Sequence, residues 1–553
     1  MRTTSILSVY NQTPVLYKNI LSMQKDLKRI ADLGFKAIWI NPIFSPCQVN
    51  PIPGMAHRIH CPYAMQTQTI SPRFAANSEQ VKDYTQAISD LNMVPIFDLV
   101  ARHVAIDNEL VTGDLTLKKN HNIDTSKWFK RHPNGNLMMH HMNDKFEPIG
   151  ENPWCDIASF NYDDPVITDE IFTHFWEPFL KENIVDLGFK GLRLDAPLMI
   201  PPHVIQRLTA TIKALLKNSC SGSAEDFIVI AETVGNGDEN TILALKECGI
   251  THPMNSIYWM PGPLGTHEHD YSLWHSDKNW FAHNKGLLQQ LGPTLGYAGS
   301  HDEPRYIEEL LVKGVPNDKE LLAFYMREKM AVTAFGSDGG WILSYGDEFG
   351  AHEKVNLFDT TPKEYHSHKE LQRYDLGNFI QALNHTLQHL PAPIFPQWQQ
   401  RVFLKSFPDV VIFITHQGEG YSGSCYLVIA NPSEKTNFTL SQEIIDEIMN
   451  ANGRNEKQLL SPHSIYLCGN KFDIKPESIL LPVYHCTSQG KKVLFNPHSN
   501  KNNTFSTVQK NTVFASSMFK ADRNFPNERP DCSTHSKFTC PEPLKFSRSL
   551  STG

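Results

Sequence analysis

Gly188-Phe-Lys-Gly-Leu-Arg-Leu-Asp195 and Phe227-Ile-Val-Ile-Ala-Glu232 are two short apolar runs, and each ends on an acidic residue. A continuous apolar run bounded by polar residues marks a strand covered on both faces, the situation in a parallel sheet. Between them, residues 201–217 carry apolar side chains at helical spacing. Strand, helix, strand is the repeating unit of α/β folds.

The same alternation extends outward in both directions. Upstream, 6–10, 37–43 and 94–100 read as strands, with helices over 17–33 and 78–91. The first helix stops at Gly34, a C-terminal signal, and Ser78 is the expected N-cap of the second. Downstream, 254–259, 295–302 and 341–347 read as strands, with a helix over 319–335. Eight strand candidates joined by crossovers favour a closed parallel barrel over the alternative, an open doubly wound sheet.

The alternation breaks between 104 and 159, where His, Asn, Asp and Gly dominate. From about residue 401 the texture changes again, and 402–415, 426–430 and 479–486 read as antiparallel strands. Beyond 498 the chain is rich in Asn, Ser, Lys and Pro, the composition of a disordered segment. The sequence therefore predicts an α/β fold: a (β/α)8 TIM barrel over 1–103 and 160–392. A small domain is inserted at 104–159 after the third strand, an antiparallel β domain spans 398–497, and a tail covers 498–553.

Composition narrows the function. The chain has 553 residues, enough for two to four units and an ample core. Its net charge of -8 argues against a phosphate backbone, hence nucleic acid, as the main partner. No apolar run reaches the roughly 18 residues that span a bilayer. The first ten residues lack the apolar core of a signal peptide, so the expected location is cytoplasmic, with signal-independent export as the alternative. Ten cysteines are scattered from Cys47 to Cys540 without metal spacing, so reduced thiols are expected.

In a barrel, residues at the C-terminal ends of the strands face the active site. Here those positions carry Asp98, Asp195, Glu232 and Asp302. One acid at the end of an apolar run is usually a cap or a salt bridge, but four on four strands need a common reason. Retaining cleavage of a glycosidic bond needs a carboxylate nucleophile and a carboxylic acid about 5 Å apart. Arg193 lies two residues before Asp195, so both side chains leave the strand on one side and the guanidinium favours an ionised Asp195.

These residues resemble glycoside hydrolase family 13, the α-amylase family, whose short motifs occur here in order. Phe97-Asp-Leu-Val-Ala-Arg-His103 is similar to the first, with Asp98 and His103 in place. Gly191-Leu-Arg-Leu-Asp-Ala-Pro197 is similar to the second, which implies Asp195 as nucleophile and Arg193 as its partner. Ile230-Ala-Glu-Thr233 implies Glu232 as acid/base, and Gly299-Ser-His-Asp302 implies His301 and Asp302 as sugar-binding and transition-state-stabilising residues. Cys61-Pro-Tyr-Ala64 resembles the segment whose tyrosine, here Tyr63, stacks on the reacting sugar. Asp156 to Pro165 resembles the motif that closes the inserted domain, and Gly346-Asp-Glu-Phe-Gly350 falls where the last strand ends.

The resemblance implies a retaining enzyme acting on α-1,4-linked glucosides, with an oligo- or polysaccharide as partner and no required cofactor. Two departures bear on the detail. The family's first motif often places an asparagine calcium ligand before the histidine; here it is Arg102, a cation that would repel calcium, so no metal is expected. Leu198 and Met199 replace the Lys and His that starch-degrading members often carry after the nucleophile. The Asp195-Ala-Pro197 turn carries a thin likeness to glucan-transferring relatives, such as maltosyltransferases using maltose 1-phosphate, so a transglycosylase is the nearest alternative. An alternative of another class is a non-catalytic carbohydrate- or protein-binding barrel, although such members usually lose one of the three acids that this chain keeps.

Other features carry blander readings. His140 and His141, with His121 and His132 nearby, have no standard metal spacing. Trp128, Trp154 and Trp259 could line a sugar cleft, but core packing explains each equally well.

Overall fold

The computed structural model describes residues 6–49, 60–112, 123–149, 153–219, 224–232, 244–255, 293–358, 362–391 and most of 397–495. The chain divides into two units, 1–498 and 499–553. The second unit and the whole of the expected tail 498–553 lie outside the described residues, as do Trp259 and His121.

Eight strands close into a barrel: β1 (Leu7–Gln12), β2 (Ala37–Ile40), β3 (Val94–Leu99), β4 (Gly191–Leu194), β5 (Ile228–Ala231), β6 (His252–Asn255), β7 (Leu295–Tyr297) and β8 (Gly340–Ser344). Every neighbouring pair is parallel, and β8 pairs back to β1 from Leu7↔Gly340 to Asn11↔Ser344. That last pairing excludes the open sheet. All eight expected strands are present, several of them shorter than the apolar runs that announced them.

Side chains alternate across each strand. One set, Val9, Trp39, Ile96, Ile230, Leu295 and Ile342, packs together inside the barrel. The other set, such as Tyr10, Ile38, Phe97 and Leu192, packs outward against the helices. Counting on by twos from the inner set reaches Asn11, Asn41, Asp98 and Glu232 at the upper ends of their strands. On β4 the inward residues are Gly191 and Arg193, with Asp195 next in the series. The barrel is thus apolar below and polar at its upper mouth, purely from the period of two.

The helix Ile20–Asp32 is capped by Asn19, which exchanges hydrogen bonds with Ser22. For Ser78–Asp90 the cap is Asn77, whose side chain accepts from Gln80 N–H at 3.0 Å; Ser78 is the first helical residue. The expected cap was one position late, since the Asn carboxamide reaches the same amide that Ser would have served.

The chain between β3 and the helix beginning at Pro165 leaves and returns through an antiparallel pair, His103–Ala105 with Ile157–Ser159. Trp128 is fully buried there and reaches Glu170 through its Nε1, so it belongs to the core. The C-terminal sheet has six strands. Gln397–Val402, Val411–Gln417 and Ser424–Ala430 run antiparallel, as do Val483–Thr487 and Gly490–Phe495. Ser464–Cys468 joins the two sets by parallel pairings on both sides. The run 402–415 contains Pro408 and Asp409, turn formers, and the chain there forms two strands instead of one. This sheet meets the barrel through Arg327 Nε, which donates to Pro432 O at 2.6 Å. The seven described cysteines form no disulfides, and no helix among the described residues is long and apolar enough to cross a membrane.

Closure rests on Gly340, where β8 meets β1. Its φ is +113°, and a Cβ there would lie 1.9 Å from the Leu7 carbonyl oxygen. Gly340→Ala should lower stability by about 3 kcal/mol or more, because overpacking adds to backbone strain. Gly314→Ala, at φ +85° with nothing within 4 Å of its Cβ, should cost only about 1 kcal/mol. Urea unfolding midpoints of the two variants check the difference, and equal losses would refute the steric argument.

Candidate active site

The polar mouth of the barrel is organised by Arg193. Its guanidinium is fully buried and touches three carboxylates from three strands. Nη1 lies 2.9 Å from Asp98 Oδ1 and 2.7 Å from Asp195 Oδ1, and Nη2 lies 2.7 Å from Glu232 Oε1. Strand register brings them together: Asp98 on β3 is directly opposite Arg193 on β4. Asp195 and Glu232 each stand one residue beyond their strands. Their amides continue the ladder, with Asp195 N–H donating to Leu99 O and Glu232 N–H to Leu194 O. The flat guanidinium lies over Trp39 at 5.0 Å and Tyr63 at 5.7 Å.

Asp98 is turned wholly into this network. Its Oδ2 accepts from Trp39 Nε1 at 3.0 Å and from Tyr63 O–H at 2.9 Å, and its side chain has no exposure. It therefore orients Arg193 and Tyr63, within the group of residues that the sequence reading assigned to substrate binding. Tyr63 also accepts from Asn41 Nδ2 at 2.8 Å and lies 2.9 Å from His301 Nε2. The Tyr63 and His301 rings are parallel, 5.4 Å between centroids.

His103 Nε2 is 3.0 Å from the Tyr63 carbonyl oxygen, so it donates there and its proton sits on Nε2. Burial pushes its pKa down to about 3, helped by neighbouring Arg102, and the ring is neutral. Asp302 is the exposed member of the group. It stands five residues past β7, in the turn after Gly299 and Ser300, with its N–H donating to Ser300 Oγ, and His301 Nε2 is 3.4 Å from its Oδ2. The run 295–302 is thus a strand only to Tyr297. All eight residues singled out from the sequence are connected in one network.

Three further residues belong to it. Trp39 and Asn41 follow the inward series of β2, and that parity was the signal available in sequence. Ala196 gave none. It adopts φ +42°, ψ +47°, a left-handed conformation unfavourable for a residue with a Cβ. The turn aims its N–H at Glu232 Oε2, 3.0 Å away. Strain beside the proposed nucleophile thus fixes the second carboxylate. Asp347 and Glu348 of the Gly346–Gly350 motif are instead spent on ion pairs with Arg305 and Arg29, outside this cluster.

Electrostatics inside the cluster are opposed. Burial raises Asp195 to about 8; Arg193 works against this, and Glu232 and Asp98 add to it as like charges. The 2.7 Å contact with Arg193 shows real attraction, but one guanidinium shared among three acids leaves the group net negative and dry. In the unfolded chain the carboxyl would titrate near 4. Folding therefore binds a proton at intermediate pH, and the destabilisation grows as pH rises from about 4 to about 8. Asp195→Asn should accordingly be more stable than the parent at pH 9, with the gain vanishing toward pH 4; paired thermal melts across this range test it. A gain independent of pH would contradict the assignment.

The comparisons with known proteins bear on the family and the fold. The model of the α-amylase catalytic domain matches residues 22–383. Among solved structures, the cyclic α-maltosyl-(1→6)-maltose hydrolase of Arthrobacter globiformis is similar at a TM-score of 0.53 and 16% identity, covering 75% of this chain and 89% of that one. An α-amylase of Geobacillus thermoleovorans complexed with acarbose gives 0.52 and 17%, covering 76% and 86%. The Nostoc punctiforme debranching enzyme gives 0.52 and 17%, covering 74% and 86%. At such identities the structures speak for the fold alone. No curated protein matches the sequence. With the domain model matching well over half the chain, and a closed parallel barrel carrying the acids, this protein belongs to the α-amylase family, enzymes that hydrolyse or transfer glycosides.

Proposed function

We propose that the protein is a retaining α-glucan enzyme that cleaves α-1,4-linked glucosides through a covalent glycosyl-enzyme. The observation that carries this is the clasp of Asp195 and Glu232 by the two terminal nitrogens of Arg193. In the first step Asp195 attacks the anomeric carbon as Glu232 protonates the departing glycosidic oxygen. In the second, Glu232 takes a proton from the acceptor hydroxyl, which displaces Asp195. Arg193 keeps Asp195 oriented and favours its ionised form, while Tyr63, His103, His301 and Asp302 hold the sugar. The acarbose bound by the Geobacillus neighbour supports an oligosaccharide substrate. Arg102, stacked over Trp154 at 5.1 Å, puts a cation where the family's calcium ligand would stand, so these residues do not fit calcium.

Transfer to a sugar acceptor is the second reading, favoured by one observation. Met199, half-exposed, lines a cavity with Phe160 and Pro201 on the chain following Asp195. Beside the cavity's polar residues, these apolar side chains give a sugar acceptor a surface to pack on.

Asp195→Asn and Glu232→Gln should each lower kcat on maltooligosaccharides by at least about 10^4. Only the Glu232 variant should recover on aryl glycosides with acidic phenols, whose departure needs no proton. Product analysis by NMR should show α-anomers, and chains longer than the substrate would mark transfer. Full activity of either variant would refute the assignment.

A further inference from the structure

Two cysteines of the C-terminal sheet stand side by side on the face turned to the barrel. The strands Ser464–Cys468 and Val483–Thr487 pair in parallel, and Cys468 is the direct partner of Cys486. Residues in such register leave the sheet on the same side. Neighbouring strands lie about 4.8 Å apart, within the ~4.4–6.8 Å between α-carbons that a disulfide bridges. Both cysteines are free thiols and fully buried. Both also hydrogen-bond to the side chain of Thr386, on the helix Gly377–His389. The Thr386 hydroxyl gives its own proton to Ala382 O at 2.8 Å, so its oxygen is left to receive the two S–H groups. One oxygen atom thus gathers both sulfurs.

Packing alone does not require this arrangement. Cys425, on the strand Ser424–Ala430, fills the apolar cluster of the opposite face as a small hydrophobe. Burial pushes the Cys468 and Cys486 thiols up, which keeps them protonated while the sheet is closed. The two are not equivalent. Lys491 is the cross-strand partner of Cys486 in the last hairpin, and its charge favours the Cys486 thiolate. Its ammonium rests over the Tyr484 ring at 4.0 Å. Gly490–Phe495 is the edge strand of the sheet, and an edge hairpin opens at lower cost than the core beneath it. Opening there reaches Cys486 before Cys468.

We propose that Cys468 and Cys486 are a dithiol modification site, converted to an intramolecular disulfide by a small disulfide such as oxidised glutathione. The Cys486 thiolate attacks one sulfur of the small disulfide, which forms a mixed disulfide and releases one thiolate. The Cys468 thiolate then attacks the Cys486 sulfur and displaces the second. The two cysteine sulfurs are oxidised and the small disulfide is reduced to two thiols, which take up the two protons lost from the cysteines. The new bond closes the loop 468–486 in the unfolded chain and so favours the folded one. None of this depends on the glycosidase reading.

The full chain, equilibrated with an excess of oxidised over reduced glutathione, quenched in acid and alkylated, should yield a linked Cys468–Cys486 peptide pair by mass spectrometry. Its Tm should exceed that of the reduced chain by at least about 3 °C. Cys468→Ala should stop at the mixed disulfide on Cys486, and Cys486→Ala should leave Cys468 unmodified; neither should show the rise in Tm. Cys425→Ala should keep both the bond and the rise. Refolding the parent chain from urea in the same buffer exposes every thiol, so access no longer limits the reaction, and mapping the parent needs no variant that could misfold. Cys468 and Cys486 still free after that refolding, or either one bonded to a third cysteine, overturns the proposal. An oxidised chain that melts no higher than the reduced one would also sink it, because a strained bridge forfeits the gain.

Discussion

A single guanidinium on the inner face of β4 holds the upper mouth of the barrel together. Arg193 neutralises part of the charge of Asp98, Asp195 and Glu232, three acids that could not share a dry pocket without it. Removing one partner of a buried ion cluster is far more costly than never having built it. Here a loss of Arg193 would leave three buried carboxyls to take up protons. The aromatic faces of Trp39 and Tyr63 and the carboxylate of Asp98 keep the guanidinium in one orientation, so the two carboxyls at its terminal nitrogens are positioned before any substrate arrives.

That arrangement depends in turn on barrel closure. With period-two alternation and parallel register around the ring, inward positions at equal height are neighbours in space. Asn11, Asn41, Asp98, Arg193 and Glu232 meet because their strands are staggered as a closed barrel requires. Asn11 Nδ2 donates to Asn41 Oδ1, and Tyr297 O–H donates to Asn11 Oδ1, which extends the network across β1, β2 and β7. Polar groups at this level are thus linked from β7 through β1 to β2.

The site also departs from what stability alone would select. Ala196 is held in a left-handed conformation, and Asp195 is buried where its ionised form is disfavoured. Beside it, Arg102 has a buried nitrogen with no hydrogen-bond partner among the described residues. Such departures concentrate where a protein binds or reacts with something outside itself. They lie on two adjacent loops, those following β3 and β4, while the lower barrel is packed with Val, Ile, Leu and Trp.

Much of this was readable from the sequence alone. The apolar runs carried the eight strands, their terminal acids carried Asp98, Asp195 and Glu232, and motif order carried Tyr63, His103, Arg193, His301 and Asp302. Those features depend on local periodicity and on residue type, which a linear chain displays directly. The tertiary structure alone decided that Asp98 is turned onto Arg193, Trp39 and Tyr63, that Asp347 and Glu348 belong to other ion pairs, and that Ala196 is strained. It also decided that Arg102, Lys130 and the His140–His141 pair border one cavity. These are matters of which distant groups share a hydrogen bond and which lose their water. Burial and long-range pairing, which set both, exist only once the barrel has closed.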